Sequence, residues 1–152
     1  MKKLRIFLLL AMAVFLLSGC REKQVSEEGT VIYYLNKDET AIVPVGYELH
    51  GDGPEVNIEE ILAKLEETPE NLGLRRTIPE NVKLLDYTMD RKQLYLNFSA
   101  EYLTLDKATE VLTRAAIVKT MAQVDGVSFI GIRVNGEPIK DTKGSVIGLM
   151  NE

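Results

Sequence analysis

The 152-residue chain carries 18 Lys+Arg against 23 Asp+Glu, a formal charge of −5, and is 45% hydrophobic with a single Cys and no Trp. That size fits one ordinary domain with a short extra segment and excludes a large multidomain enzyme. One cysteine makes neither an internal disulfide nor a multi-thiolate zinc site, and the acidic balance provides no surplus of cations for neutralising nucleic-acid phosphates.

The extra segment is N-terminal. Lys2, Lys3 and Arg5 precede an unbroken apolar run, Ile6–Leu17, which leads directly into Ser18, Gly19 and Cys20. As a helix this run rises only about 18 Å, short of the roughly 30 Å hydrocarbon core of a bilayer, so it reads as a signal peptide rather than a spanning anchor. The tetrapeptide Leu17-Ser18-Gly19-Cys20 resembles the lipobox of bacterial lipoproteins. In that motif the Cys thiol receives a diacylglycerol and becomes the new N-terminus. The resemblance implies a signal peptide at 1–19, lipidation at Cys20 and an extracytoplasmic domain anchored to the cell membrane. Two acyl chains suffice for stable anchoring, where one is marginal. Residues 20–29 are polar apart from Val25 and read as a flexible tether, followed by a single domain over 30–152. Loss of residues 1–19 removes three cations and no acid. The resulting acidic domain is repelled by an anionic membrane and stands off on its tether.

Thr30–Leu35 and Ala41–Val45 read as a hairpin, with Pro44 placing the second strand at an edge. Asn57 with Glu60 forms a capping-box-like start, and Ile58, Ile61, Leu62 and Leu65 mark a first amphipathic helix that ends near Thr68-Pro69. A loop containing Leu72-Gly73-Leu74 and Ile78-Pro79 follows. Val82–Met89 and the alternating Leu94, Leu96 and Phe98 make a second hairpin around Asp90-Arg91-Lys92-Gln93. Asp106–Gln123 is the longest predicted helix, with Asp125-Gly126 as its stop signal. Val127–Val134 and the Asn135-Gly136 turn close the series with a third hairpin. The order ββαββαββ predicts an α+β fold with a mixed or antiparallel sheet and two main helices.

In the second helix Ala108, Val111, Leu112, Ala115, Val118 and Ala122 form one stripe, with Ile117 and Met121 widening it. That arc means either deep burial, the commoner case, or a partner-binding face through Ile117 and Met121. Chemistry is sparse. His50, the only histidine, sits in a loop without a nucleophile motif and reads as solvated. Cys20 is committed to the lipid, and the acidic pairs Glu59-Glu60 and Glu66-Glu67 belong to a solvated helix face. No cofactor or metal is expected. Asp52 and Glu55 lack the calcium-loop ladder, and Gly51-Asp52-Gly53 lacks the phosphate-loop spacing. Arg75-Arg76 is the remaining candidate contact, either an anion grip or ordinary loop cations.

From about Thr30 to Glu137 the chain resembles the GerMN domain, a sporulation and spore-germination domain of bacterial envelope lipoproteins. The resemblance rests on motifs in order: Val31-Ile32-Tyr33-Tyr34-Leu35; the crossing Leu74-Arg75-Arg76-Thr77-Ile78-Pro79; Asn97-Phe98-Ser99, where the family often has Asp at the first position; Thr120-Met121-Ala122-Gln123 running to Val127; and Gly136. Ser99 is expected to cap the turn after its strand and Phe98 to fill the core. The resemblance implies a small α+β domain similar to ring-building folds, without catalytic residues. It implies work by protein contact or self-assembly in a sporulation, germination or cell-wall complex. The alternatives are a peptidoglycan-acting enzyme or accessory factor and a binder of wall fragments or small ligands.

Overall fold

The computed structural model describes residues 29–152; the signal segment, Cys20 and all but the last residue of the tether lie outside the described residues. Thr30–Asn36 (β1) and Ile42–Tyr47 (β2) pair antiparallel, with Tyr33 opposite Pro44. β2 is the edge strand, as Pro44 requires, since proline donates no ladder hydrogen bond. The connecting turn is closed by Asn36, whose Oδ1 accepts from the backbone N–H groups of Thr40 (2.8 Å) and Ala41 (3.0 Å).

The first helix, α1, spans Pro54–Glu66 and buries Ile58, Ile61, Leu62 and Leu65, the predicted stripe. It begins three residues before the predicted start. Pro54 occupies the first turn, where a missing N–H is harmless, and Gly53 precedes it at φ 106°. Asn57 therefore lies inside the helix, and Glu60 turns to the preceding loop instead of closing a capping box. Within the stretch read as a loop, Leu74–Arg75 (β3) adds a short strand to the other side of β1. The first sheet has the order β2-β1-β3.

Leu84–Asp90 (β4), Gln93–Phe98 (β5), Phe129–Val134 (β6) and Glu137–Pro138 (β7) form a second, mixed sheet in that order. β4 and β5 are joined by a tight turn with Arg91 at φ 57°. Leu94, Leu96 and Phe98 are fully buried, in agreement with their alternation. β5 and β6 run parallel, which a connection through a short 3₁₀ turn at Ala100–Thr104 and the helix Lys107–Met121 (α2) allows. Asn135 (φ 49°) and Gly136 (φ 85°) both adopt the left-handed conformation of a type I′ hairpin between β6 and β7. The fold is α+β, with two helices and two sheets.

Asp106 caps α2, its Oδ1 accepting from Ala108 N (3.0 Å) and Thr109 N (3.1 Å). The helix ends at Met121, and Gly126 (φ 86°) serves the next turn, where Val127 N reaches Val124 O, rather than the helix terminus. The buried face of α2 is also rotated from the predicted stripe. It comprises Thr109, Thr113, Ala116, Ile117, Val118, Thr120 and Met121, whereas Ala108 and Val111 are exposed. Three threonines account for the difference, because an apolar pattern ignores them; two have partnered hydroxyls that make burial tolerable. Ser99 has no capping contact. Its hydroxyl accepts from Lys83 N (3.1 Å) and so ties the approach to β4 to the end of β5.

Candidate functional site

Ile117 and Met121 are both 0% exposed and belong to the hydrophobic core with Ile32, Leu94, Phe98 and Ile130. They form no partner-binding face; the wide apolar arc is explained by burial against β1 and the second sheet. Around them, Thr120 and Gln123 bond to backbone. Thr120 Oγ1 accepts from Tyr33 N (3.1 Å), and Gln123 both accepts from Val31 N (2.9 Å) and donates to Val31 O (2.8 Å). Thr77 Oγ1 adds a bond to Tyr33 O at 2.6 Å. These side chains close the edge of β1 that the two-residue β3 leaves uncovered.

Arg75 and Arg76 lie together on the wall of an open cleft of about 290 Å³. β3 supplies Leu74 and Arg75, the β1–β2 turn supplies Glu39, and the start of α2 supplies Thr109. The chain after α1 contributes Thr68, and Pro79-Glu80 closes the rim. Glu39, held at φ 51° in the turn, organises one side. It pairs with Arg75 Nη1 at 3.2 Å, and its Oε2 accepts from Thr109 Oγ1 at 2.8 Å. Arg75 Nε donates to Lys37 O at 2.8 Å, so this guanidinium is largely committed to the protein. Arg76 differs. Its Nε is buried without a hydrogen-bond partner, and among the described residues it forms no ion pair. That donor is closed to solvent, so an acceptor from outside the domain meets Arg76 at its Nη groups rather than at Nε. Glu39, Thr109 and Glu80 carry no motif, and Glu39 and Thr109 are more than 30 residues from Arg76 in the chain.

A second polar cluster precedes α1. Glu60 accepts from Tyr47 Oη (2.6 Å), the His50 backbone N–H (3.0 Å) and Gly51 N (2.9 Å), and its Oε1 lies 2.8 Å from His50 Nδ1. The Tyr47 hydroxyl, then the His50 ring and the backbone donors, lower its pKa to about 2. No hydroxyl or thiol nucleophile is hydrogen-bonded to His50 among the described residues. The cluster anchors a loop; it has no arrangement for acyl transfer.

With this geometry in place, the comparisons assign the domain. The family model Germane, described as sporulation and spore germination, matches residues 31–140. The chain belongs to this family. The matched stretch runs from β1 to just past β7, and thus includes both sheets, both helices and the arginine cleft. The fold is similar to the first GerMN domain of the sporulation protein GerM from Bacillus subtilis, with a TM-score of 0.62 at 17% identity over 82% of this chain and 95% of that one. The tandem GerMN domains of the same protein match at 16% identity and TM-score 0.62, with 82% of this chain but 45% of that one covered. A putative lipoprotein from Clostridium perfringens matches at TM-score 0.53 and 20% identity, over 80% of this chain and 85% of that one. No curated protein matches. In this Germane-family domain the Thr120 to Gln123 segment is scaffold, since both side chains bond to β1.

Asn97, where an Asp was expected from the resemblance, also has a structural role. Its Nδ2 donates to Asp86 Oδ2 (2.8 Å) while its Oδ1 accepts from Gly136 N (2.8 Å). An amide donates and accepts at once, which an ionised Asp at this position does not.

Proposed function

We propose that this Germane-family protein is a noncatalytic, lipid-anchored envelope protein that acts by protein contact. Its role is to assemble or maintain a sporulation, spore-germination or cell-wall complex. The observation that carries this reading is the presence, in one chain, of a lipobox-like Leu17-Ser18-Gly19-Cys20 and a sporulation and germination domain over 31–140. The likeness to a putative lipoprotein supports the anchor, and the likeness to a domain of a sporulation protein supports the setting. The arginine cleft supports contact over catalysis, since it presents cations, carboxylates and hydroxyls without an activated nucleophile.

Two measurements test the reading. Metabolic labelling with an alkyne fatty acid marks the wild type and not Cys20→Ala, and the variant leaves the membrane fraction. Photo-crosslinkers at positions 75 and 76 trap an envelope protein in cells. Retention of label and membrane association by Cys20→Ala overturns the anchor. Release of muropeptides by the purified protein, lost on replacement of one acidic residue, overturns the noncatalytic role in favour of a peptidoglycan enzyme.

A further inference from the structure

We propose that the Arg76 cleft is a binding site for the carboxylate end of a small zwitterion, an amino acid or short peptide with a free amine close to its carboxylate. The inference goes beyond the contact role above and rests on the cleft alone, not on the lipid anchor.

The charges in the cleft divide into a closed pair and an open pair. Arg75 and Glu39 satisfy each other at 3.2 Å, with Thr109 and Lys37 O completing their bonding. Arg76 and Glu80 line the same cleft and form no ion pair among the described residues, with each other or with any other group. The buried Nε of Arg76 has no acceptor. A carboxylate approaching the Arg76 guanidinium end-on takes its two Nη groups together, a bidentate geometry that makes such pairs strong and directional. Glu80 lines the same cleft, and its carboxylate favours an ammonium as the charge that accompanies the ligand carboxylate. Two glutamates in one small cleft also select against a phosphate, whose second negative charge has no matching cation once Arg75 is committed to Glu39. Leu35, Leu74 and Pro79 provide an apolar wall for a small side chain. At about 290 Å³ the cleft lies at the lower end of the roughly 300–1,000 Å³ usual for ligand sites, which restricts the occupant to amino-acid or dipeptide size.

Such a zwitterion has two sources in an envelope, the free L-dipeptides released from proteins and the free D-amino-acid dipeptides released from the cell wall. The test is an NMR titration of the full chain in detergent, labelled in its arginine side chains, with L-alanyl-L-alanine and D-alanyl-D-alanine. Saturable movement of the Arg76 Nε–H resonance by either dipeptide is the expected result, and the tighter isomer identifies the source. Amidation of the dipeptide carboxylate, or Arg76→Gln with its backbone spectrum unchanged, weakens binding about tenfold or more. Glu80→Gln, an exposed change that spares the fold, removes the preference for the free dipeptide over its N-acetyl form. The proposal is overturned if neither dipeptide moves the resonance, if the amidated dipeptide binds as well, or if inorganic phosphate binds more tightly than both. Loss of the anchor in Cys20→Ala leaves this titration unchanged, so the two readings fail separately.

Discussion

Gln123 pairs with Val31 as a neighbouring strand would, its side-chain amide accepting from Val31 N at 2.9 Å and donating to Val31 O at 2.8 Å across 92 residues of sequence. An uncovered strand edge is a template for unwanted pairing, and here the end of helix α2 and the turn after it cover the edge with the side chains of Thr120 and Gln123. Gln123→Ala leaves both backbone groups of Val31 unpaired. Two lost hydrogen bonds lower the unfolding free energy by about 2 kcal/mol in urea titrations. Hydrogen exchange at the Val31 amide accelerates in step. An unchanged exchange rate would show that the contact is not maintained in solution.

Asn97 bridges Asp86 on β4 and Gly136 in the β6–β7 turn. Asn97→Asp, the residue expected there from the family resemblance, replaces the donated bond by repulsion between two carboxylates. The variant is expected to be less stable than wild type by roughly 1 kcal/mol at neutral pH, with the deficit shrinking as acid neutralises the pair. Equal stability at neutral pH would mean that Asp86 turns away freely.

Glu60 supplies a pH dependence whose direction follows from its lowered pKa of about 2 against an ordinary 4.5. A carboxyl group more acidic in the folded state contributes stability that is fully present above 4.5 and is lost as pH falls towards 2. The urea midpoint of the wild type therefore drops across that window more steeply than that of Glu60→Gln, which has no carboxylate to protonate. Parallel pH profiles for the two proteins would remove the Tyr47–Glu60–His50 cluster from the account of stability.

Ile117 and Val111 occupy the same helix but opposite environments, 0% and 44% exposed. Ile117→Ala creates a core cavity and costs about 2–5 kcal/mol. Val111→Ala stays within about 0.5 kcal/mol, as surface changes usually do. Chemical denaturation distinguishes them directly, and similar losses for both would mean that the exposed face of α2 is covered in solution.

The same contrast shows how the sequence is legible and where it misleads. The α1 stripe and the alternation of β5 were readable because Leu, Ile and Phe alone define those faces. The buried face of α2 was not. Thr109, Thr113 and Thr120 count as polar in a periodicity analysis, and the partners that bury two of them, Glu39 and the Tyr33 N–H, come from β1 and its turn. α1 starts ahead of the Asn57 and Glu60 pattern for a local reason: Pro54 sits in the first helical turn, where its missing N–H is harmless. At the cleft, Arg75 and Arg76 were visible as adjacent cations. That one of them is neutralised by Glu39 and the other left open was invisible.

By itself, the sequence determined the elements whose causes are local: an edge strand at Pro44, the amphipathic α1, the buried alternation of β5 and the tight turn at Asn135-Gly136. Each depends on residues within a turn or two of one another, so propensity and periodicity suffice. Tertiary structure alone decided the division into two sheets, the parallel pairing of β5 with β6 and the edge closure of β1 by Gln123. It also decided the gathering of Glu39, Arg76, Glu80 and Thr109 around one cleft. Those outcomes are set by burial and by the satisfaction of backbone and charged groups between distant segments, which a reading along the chain does not bring together.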